Sequence, residues 1–384
     1  MNGDEFRKDI LKKYDLSDDE TGILLEYNRN AFDFENLKKM NGIPLQNEDF
    51  AGVWKKYIEE SSGNDLFGYM KKKIVQFNFP VISGISSEHY YRDATLSGIP
   101  VSEIEPASGL ELESPGSLKL FMHQTIAGEI PVLFSENRND FIALVRAFNC
   151  KNEPVEIPDS MGASFVSGYN NWDRINNYRD EWKAGNPDGN WEDEFGNFIS
   201  KKNLYQDKII IVSNGPYSGV DAGVIGLSEN KWKEYSVRIR IEHEGTHYFT
   251  KRCLMSIRNN LLDELIADYS GIVNVLSHFK ADWFLLFMGL ENFPVYRTGG
   301  RFENYIDRNS FTEKMVAVMR EIVVKTAFNL EKIDSLYSKK NDMTDGYKFL
   351  LCLSSFTLEE LSSENSIDLF REKMHDMDLK YFND

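Results

Sequence analysis

Hydrophobic positions from Leu261 to Leu276 recur at three- and four-residue steps: Leu262, Leu265, Ile266, Tyr269, Ile272, Val273 and Leu276. Side chains at that period share one face of an α-helix, so this run predicts a helix with a single buried stripe. Glu264 and Asp268 lie four apart on its flank. Upstream, residues 235–242 and 248–255 contain neither Pro nor Gly, which predicts a second helix running through the polar segment between them. Its apolar positions (Val237, Ile241, Tyr248, Phe249) form no clean stripe. Gly245 at its centre costs about 1 kcal/mol relative to Ala, which suggests a close backbone approach or a local weakness there. Strand periodicity marks other segments. Residues 208–213, Lys-Ile-Ile-Ile-Val-Ser, form the clearest strand. Residues 74–79 alternate like a strand before Pro80, and 131–134 and 141–148 are expected to pair as a hairpin across 136–140.

This patterning implies an α+β fold in three regions. Residues 1–75 are charged and mostly helical, with amphipathic segments at 6–14, 20–28 and 50–60 and a linker at 61–64. Residues 76–203 are mixed, with long loops. The stretch 151–203 is rich in Gly, Asn, Asp and Trp and reads as loop, with a turn at Asn186-Pro-Asp-Gly189. Asp188, Asn190 and Glu192 alternate, but the glycine and final glutamate are misplaced for a calcium loop. Residues 168–175 either line a cleft or pack as core. Residues 204–384 form the third region, helical towards its end at 313–327 and 358–373. No internal repeat is present.

Composition narrows the partners. A hydrophobic content of 41% across 384 residues supports a real core. The net charge of −17 argues against nucleic acid and anionic membrane as partners, since both need clustered Lys and Arg. Residues 231–260 are a basic exception: Lys231, Lys233, Arg238, Arg240, Lys251, Arg252 and Arg258. They would bind a substrate carboxylate or, the favoured reading, pair with acidic neighbours. Three widely spaced cysteines imply a reducing compartment and no disulfide framework. The N-terminus carries no apolar signal region, and the longest apolar run, 283–288, is too short to span a bilayer. A cytoplasmic location is expected. Oligomeric state is not legible.

The polar segment inside the second helix reads His243-Glu244-Gly245-Thr246-His247, and the chain has only six histidines. Residues four apart on a helix lie about 5–6 Å apart, so two imidazoles there can share one metal ion. A neighbouring carboxylate can hold the water that the metal acidifies. Glu264 and Asp268 would repel mildly on a bare helix, and a cation beside them reverses that sign. An isolated E-x-x-x-D is ordinarily a solvated acidic face; the histidine pair one helix upstream shifts the balance.

These residues resemble the HExxH zinc metallopeptidases, in the branch whose third ligand is glutamate (gluzincins). The extended metzincin motif is absent: Thr250 and Cys253 stand where its Gly and third His would be. The resemblance implies a zincin-like core, a small sheet before the HExxH helix with an edge strand aligning the peptide. It implies Zn2+ held by His243, His247 and Glu264, with Glu244 as general base and Asp268 holding a ligand histidine. The substrate would be a peptide or protein. A transition-state donor would come from downstream, where His278 and Tyr296 are candidates. His278 requires a break in its helix, at Gly271, because fourteen residues of helix span roughly 21 Å. Tyr296 precedes the flexible loop Thr298-Gly-Gly-Arg301. The other readings are a different metallohydrolase on the same scaffold, and a non-catalytic protein with a structural or vacant metal site.

Overall fold

The strand expected at 208–213 lies inside the only sheet among the described residues. The computed structural model describes residues 3–40, 44–63, 65–103, 108–258, 260–337 and 343–382. It is an α+β molecule, mostly helical. The chain divides into two compact units, Asn47–Gly215 and Met1–Gln46 with Pro216–Asp384, so its divisions differ from the expected 1–75, 76–203 and 204–384. The first helices belong with the last ones: Arg7 on Gly3–Leu11 is buried against Glu359, with Nε 3.3 Å from Oε2, and Asn28 donates to the same carboxylate at 2.9 Å.

The unit Asn47–Gly215 contains strands β1 (Lys119–Thr125), β2 (Gly128–Ser135), β3 (Ala163–Asn170) and β4 (Gln206–Ser213), in the order β1-β2-β4-β3. β2 and β4 are parallel; the other pairs are antiparallel. Strand β4 is interior and buried from Ile209 to Val212, which is why it reads as an unbroken apolar run.

Residues 141–148 are helical, within Arg138–Asn149, and β2 pairs with β1 instead. The Asn137 side chain caps that helix, accepting from the amides of Asn139 and Asp140, and Phe141, Leu144 and Val145 form its buried face. Residues 74–79 contain the 3-10 helix Val75–Asn78. The Asn78 side-chain amide donates to the Lys71, Ile74 and Val75 carbonyls, offering the backbone a local alternative to a sheet ladder. The stretch 151–203 holds β3 and the helices Trp172–Gly185 and Trp191–Phe198. Between those helices the expected turn forms, with Gly189 N–H donating to Asn186 O at 3.0 Å. Trp172 and Ile175 pack with Phe198 and Tyr205, so 168–175 supplies core. The helix Asp49–Ser61 ends where a linker was expected, with Asn64 outside the described residues.

In the other unit the two expected helices form: the motif helix Glu229–Cys253 and the ligand helix Leu261–Leu276. Ser228 caps the first through Lys231 N–H, and Asn260 caps the second through the amides of Leu262 and Asp263. The ligand helix does not break at Gly271. A Cβ on Gly271 would lie 2.8 Å from Ile239 Cγ2 and 2.9 Å from Ile239 O, so only glycine lets the two backbones approach this closely. Towards the C-terminus, Glu313–Tyr337 outruns the expected 313–327, and 358–373 is divided between Leu358–Ser362 and Ser366–Met377. Among the described residues, no helix is long and apolar enough to cross a membrane.

Candidate metal centre

His243 and His247 project from one face of the motif helix, and Glu264 meets them from the first turn of the ligand helix. The two Nε2 atoms are 3.1 Å apart; Glu264 Oε2 lies 3.5 Å from His243 Nε2, and Oε1 lies 3.6 Å from His247 Nε2. All three side chains are buried. Among the described residues this is the one group of three or more His, Cys, Asp or Glu side chains arranged to hold a metal ion. Three lone-pair-bearing groups converge on one point, an unfavourable arrangement that positive charge relieves.

A second layer holds the first. Asp268, one turn along the ligand helix and fully buried, has Oδ1 2.9 Å from His243 Nδ1. Tyr217 OH donates to that same oxygen at 2.5 Å, and Arg301 donates to Asp268 Oδ2 at 2.5 Å and to Tyr217 OH at 2.8 Å. With Asp268 anionic, the His243 Nδ1 proton points at it and Nε2 is the bare nitrogen, the form a metal needs. Burial alone would raise the Asp268 pKa; Arg301, His243 and Tyr217 outweigh it and hold the carboxyl below its usual value. Burial works against charge on His243 too. The Asp268 hydrogen bond and the Glu264 charge prevail, so its pKa rises. His247 is pushed down to about 4 by burial and by the adjacent His243. Of the two imidazoles, His243 takes a proton more readily than usual and His247 less readily.

The supporting residues come from two short segments. Tyr217 opens the 3-10 turn Tyr217–Gly219; its amide donates to Ser236 Oγ on the motif helix at 2.9 Å, and its ring packs on Phe287. Arg301 opens the 3-10 turn Arg301–Tyr305. The loop before it is drawn tight: a Cβ on Gly300 would fall 2.5 Å from both Gly289 Cα and Met288 O, and Arg297 N–H donates to Gly289 O at 2.8 Å. Tyr305, on the same turn, lies near Glu264, and burial together with that charge raises its phenol pKa.

Of the residues singled out from sequence, His243, His247, Glu264 and Asp268 come together as one cluster. Glu244 is half-buried beside them, near enough for its charge to act on His243. His278 is exposed past the end of the ligand helix, where Ser277 takes a φ of 65°, and its Nδ1 contacts Leu276 O at 2.9 Å. Tyr296 turns to its own loop, donating to Gly300 O at 2.5 Å, with Arg320 over its ring. The loop containing it does serve the site, through Arg301. The basic segment is largely tied down: Lys231 pairs with Glu234, Arg238 binds Asn274, and Arg240 binds Pro216 O. Sequence reasoning missed Tyr217 and Arg301. The available signal was position: Asn214-Gly-Pro-Tyr217 follows the clearest strand, and Gly299-Gly-Arg301 ends a turn-rich loop, and such loops carry functional residues.

A long helix bearing two histidines, a second helix bearing the acids, and a buried arginine–tyrosine support define a candidate metalloprotein. By sequence the chain belongs to a family of unknown function, DUF7005, whose model matches residues 9–365. Neither the curated proteins nor the solved structures contain a match to it.

Proposed function

We propose that this protein is a zinc-dependent peptidase, with a zincin-like core, that hydrolyses peptide bonds. The observation that carries the reading is the convergence of His243 Nε2, His247 Nε2 and a Glu264 oxygen. For tetrahedral zinc with bonds of about 2.0–2.1 Å, adjacent donors stand about 3.3 Å apart. The two imidazole nitrogens, 3.1 Å apart, stand near that edge length, and each has one of the two Glu264 oxygens at 3.5 or 3.6 Å. Three protein ligands and one open position characterise catalytic zinc, whereas structural sites are closed by four.

His243, His247 and Glu264 would hold the ion. When bound, zinc would supply Lewis acidity towards a carbonyl and acidify a water. Glu244, one residue along from His243 and half-buried, would accept the proton from the attacking water and deliver it to the leaving amine. Asp268 would keep the His243 ring in its ligating tautomer, and Arg301 and Tyr217 would keep Asp268 ionised and oriented. Tyr305, whose phenol interacts with Glu264, would donate to a developing oxyanion. That assignment replaces Tyr296 and His278, whose hydrogen bonds lie elsewhere.

The test is a peptide library incubated with the zinc-loaded protein, with and without chelator, beside Glu244→Gln. The expected result is chelator-sensitive cleavage that Glu244→Gln abolishes while retaining its zinc. Unchanged cleavage by Glu244→Gln would remove the base assignment, and a zinc-loaded protein that cleaves no peptide would favour another hydrolase or a non-catalytic site.

A further inference from the structure

The ends of the two metal-bearing helices meet one short segment from the opposite end of the sequence. At the C-terminal end of the motif helix, carbonyls have no intrahelical partner. Asn36 Nδ2 donates to Arg252 O at 3.1 Å and to Cys253 O at 3.0 Å, and the Asp33 amide donates to Leu254 O at 2.9 Å. Arg258, between the helices, donates to Arg29 O at 3.0 Å. At the start of the ligand helix, the Leu261 amide approaches the Tyr27 oxygen. The Tyr27 hydroxyl in turn donates to the carbonyl of Tyr305, the last residue of the turn that carries Arg301. Residues 27–36 therefore bond to the end of the motif helix, to Arg258 in the connection after it and to the turn bearing the arginine, and lie against the start of the ligand helix.

These contacts fall close to the ligands in sequence. Arg252 is five residues past His247, and Leu261 is three residues before Glu264. Fixing those two helix ends fixes where Glu264 stands relative to the imidazoles. Fixing Tyr305 fixes the turn from which Arg301 reaches Asp268.

We propose that residues 27–36 form a positioning strap for the metal centre, with Tyr27 and Asn36 as its positioning residues. The proposal deepens the metal-site reading and rests on it for its consequence. The strap also makes contacts that do not involve the ligand helices: Asn30 Nδ2 donates to Ser354 O at 2.6 Å and Phe356 O at 2.8 Å. Asn30 is thus an internal control, anchoring the same segment to the C-terminal helices.

The experiment uses the full chain and three variants, Tyr27→Phe, Asn36→Ala and Asn30→Ala. Zinc affinity is read by competition with a chromogenic chelator, and hydrogen–deuterium exchange is followed across residues 250–268. Loss of outer support to metal ligands typically weakens metal binding by about 10–100-fold. Tyr27→Phe and Asn36→Ala should weaken zinc binding at least tenfold by that measure. Exchange should quicken at 261–268 in the first and at 250–254 in the second. Asn30→Ala should lower Tm while leaving zinc affinity and exchange in 250–268 at the wild-type level. Wild-type affinity and exchange in Tyr27→Phe and Asn36→Ala would overturn the strap, as would equal weakening in all three variants. Should the wild type take up no zinc, the metal reading fails separately; exchange still decides, with quickened exchange supporting a strap on these helices and unchanged exchange overturning it.

Discussion

Glu264 and Asp268 were visible in the sequence only as an acidic pair on the edge of an apolar stripe, a pattern that usually means solvent. Both are buried, and their different partners separate their roles. Glu264 faces two imidazole nitrogens, while Asp268 is enclosed by His243, Tyr217 and Arg301. A buried carboxylate of this kind depends on its cation. Arg301→Gln should destabilise the metal-free protein by about 3–5 kcal/mol, the usual cost of stranding one member of a buried pair. It should also weaken zinc binding, and urea unfolding beside a chelator competition checks both. The histidines make a pH prediction for the metal-free protein. His243 binds its proton more readily folded than unfolded, so its contribution is present below the ordinary value of 6.5 and fades as pH rises through the raised folded value. His247, held near 4, stays neutral while the unfolded chain takes up a proton, so stability also falls as pH drops from 6.5 towards 4. The pair's contribution should peak near 6.5. A double variant, His243→Gln with His247→Gln, should lose that maximum in a Tm-against-pH series; retention of the maximum would refute its origin in these rings.

At the scale of elements, the ligand helix was legible to the residue because its apolar stripe runs from Leu261 to Leu276, and the Asn260 cap that the structure adds agrees with that start. The motif helix was legible from the lack of breakers, although it begins six residues before the expected 235. Glycine was harder to read. Gly245 drew attention as the glycine inside the motif; a close backbone approach is also present at Gly271, where the sequence offered a helix break instead. The contact with Ile239 explains why: it joins positions 32 apart, which no local pattern reveals. Replacing Gly271 by Val should force the helices apart, because the nearest atoms include a backbone carbonyl that cannot rotate away. Zinc affinity should fall together with Tm, and Gly271→Val with wild-type affinity would contradict the close-packing account. The errors at 74–79 and 141–148 share another cause. Asn78 and Asn137 satisfy local backbone groups with their side chains, converting strand-like runs into helical ones.

Across the whole molecule, the N-terminal and C-terminal segments form the unit that contains the candidate metal centre, and residues 47–215 form the other. This arrangement was not legible because Arg7 and Glu359 lie 352 positions apart, and hydrophobic period carries no information about such pairings. Ligand binding to the folded state alone raises its stability by mass action. Zinc at about a hundred times its dissociation constant should add about 2.7 kcal/mol, and chelator should remove the gain in a thermal melt. Metal content after zinc loading and gel filtration, measured by inductively coupled plasma mass spectrometry on the wild-type protein beside His247→Ala, tests the His243–His247–Glu264 site most directly. One zinc per wild-type chain and none in the variant is the expected result. A wild-type protein that emerges without metal, or a His247→Ala protein that keeps a full equivalent, would contradict it.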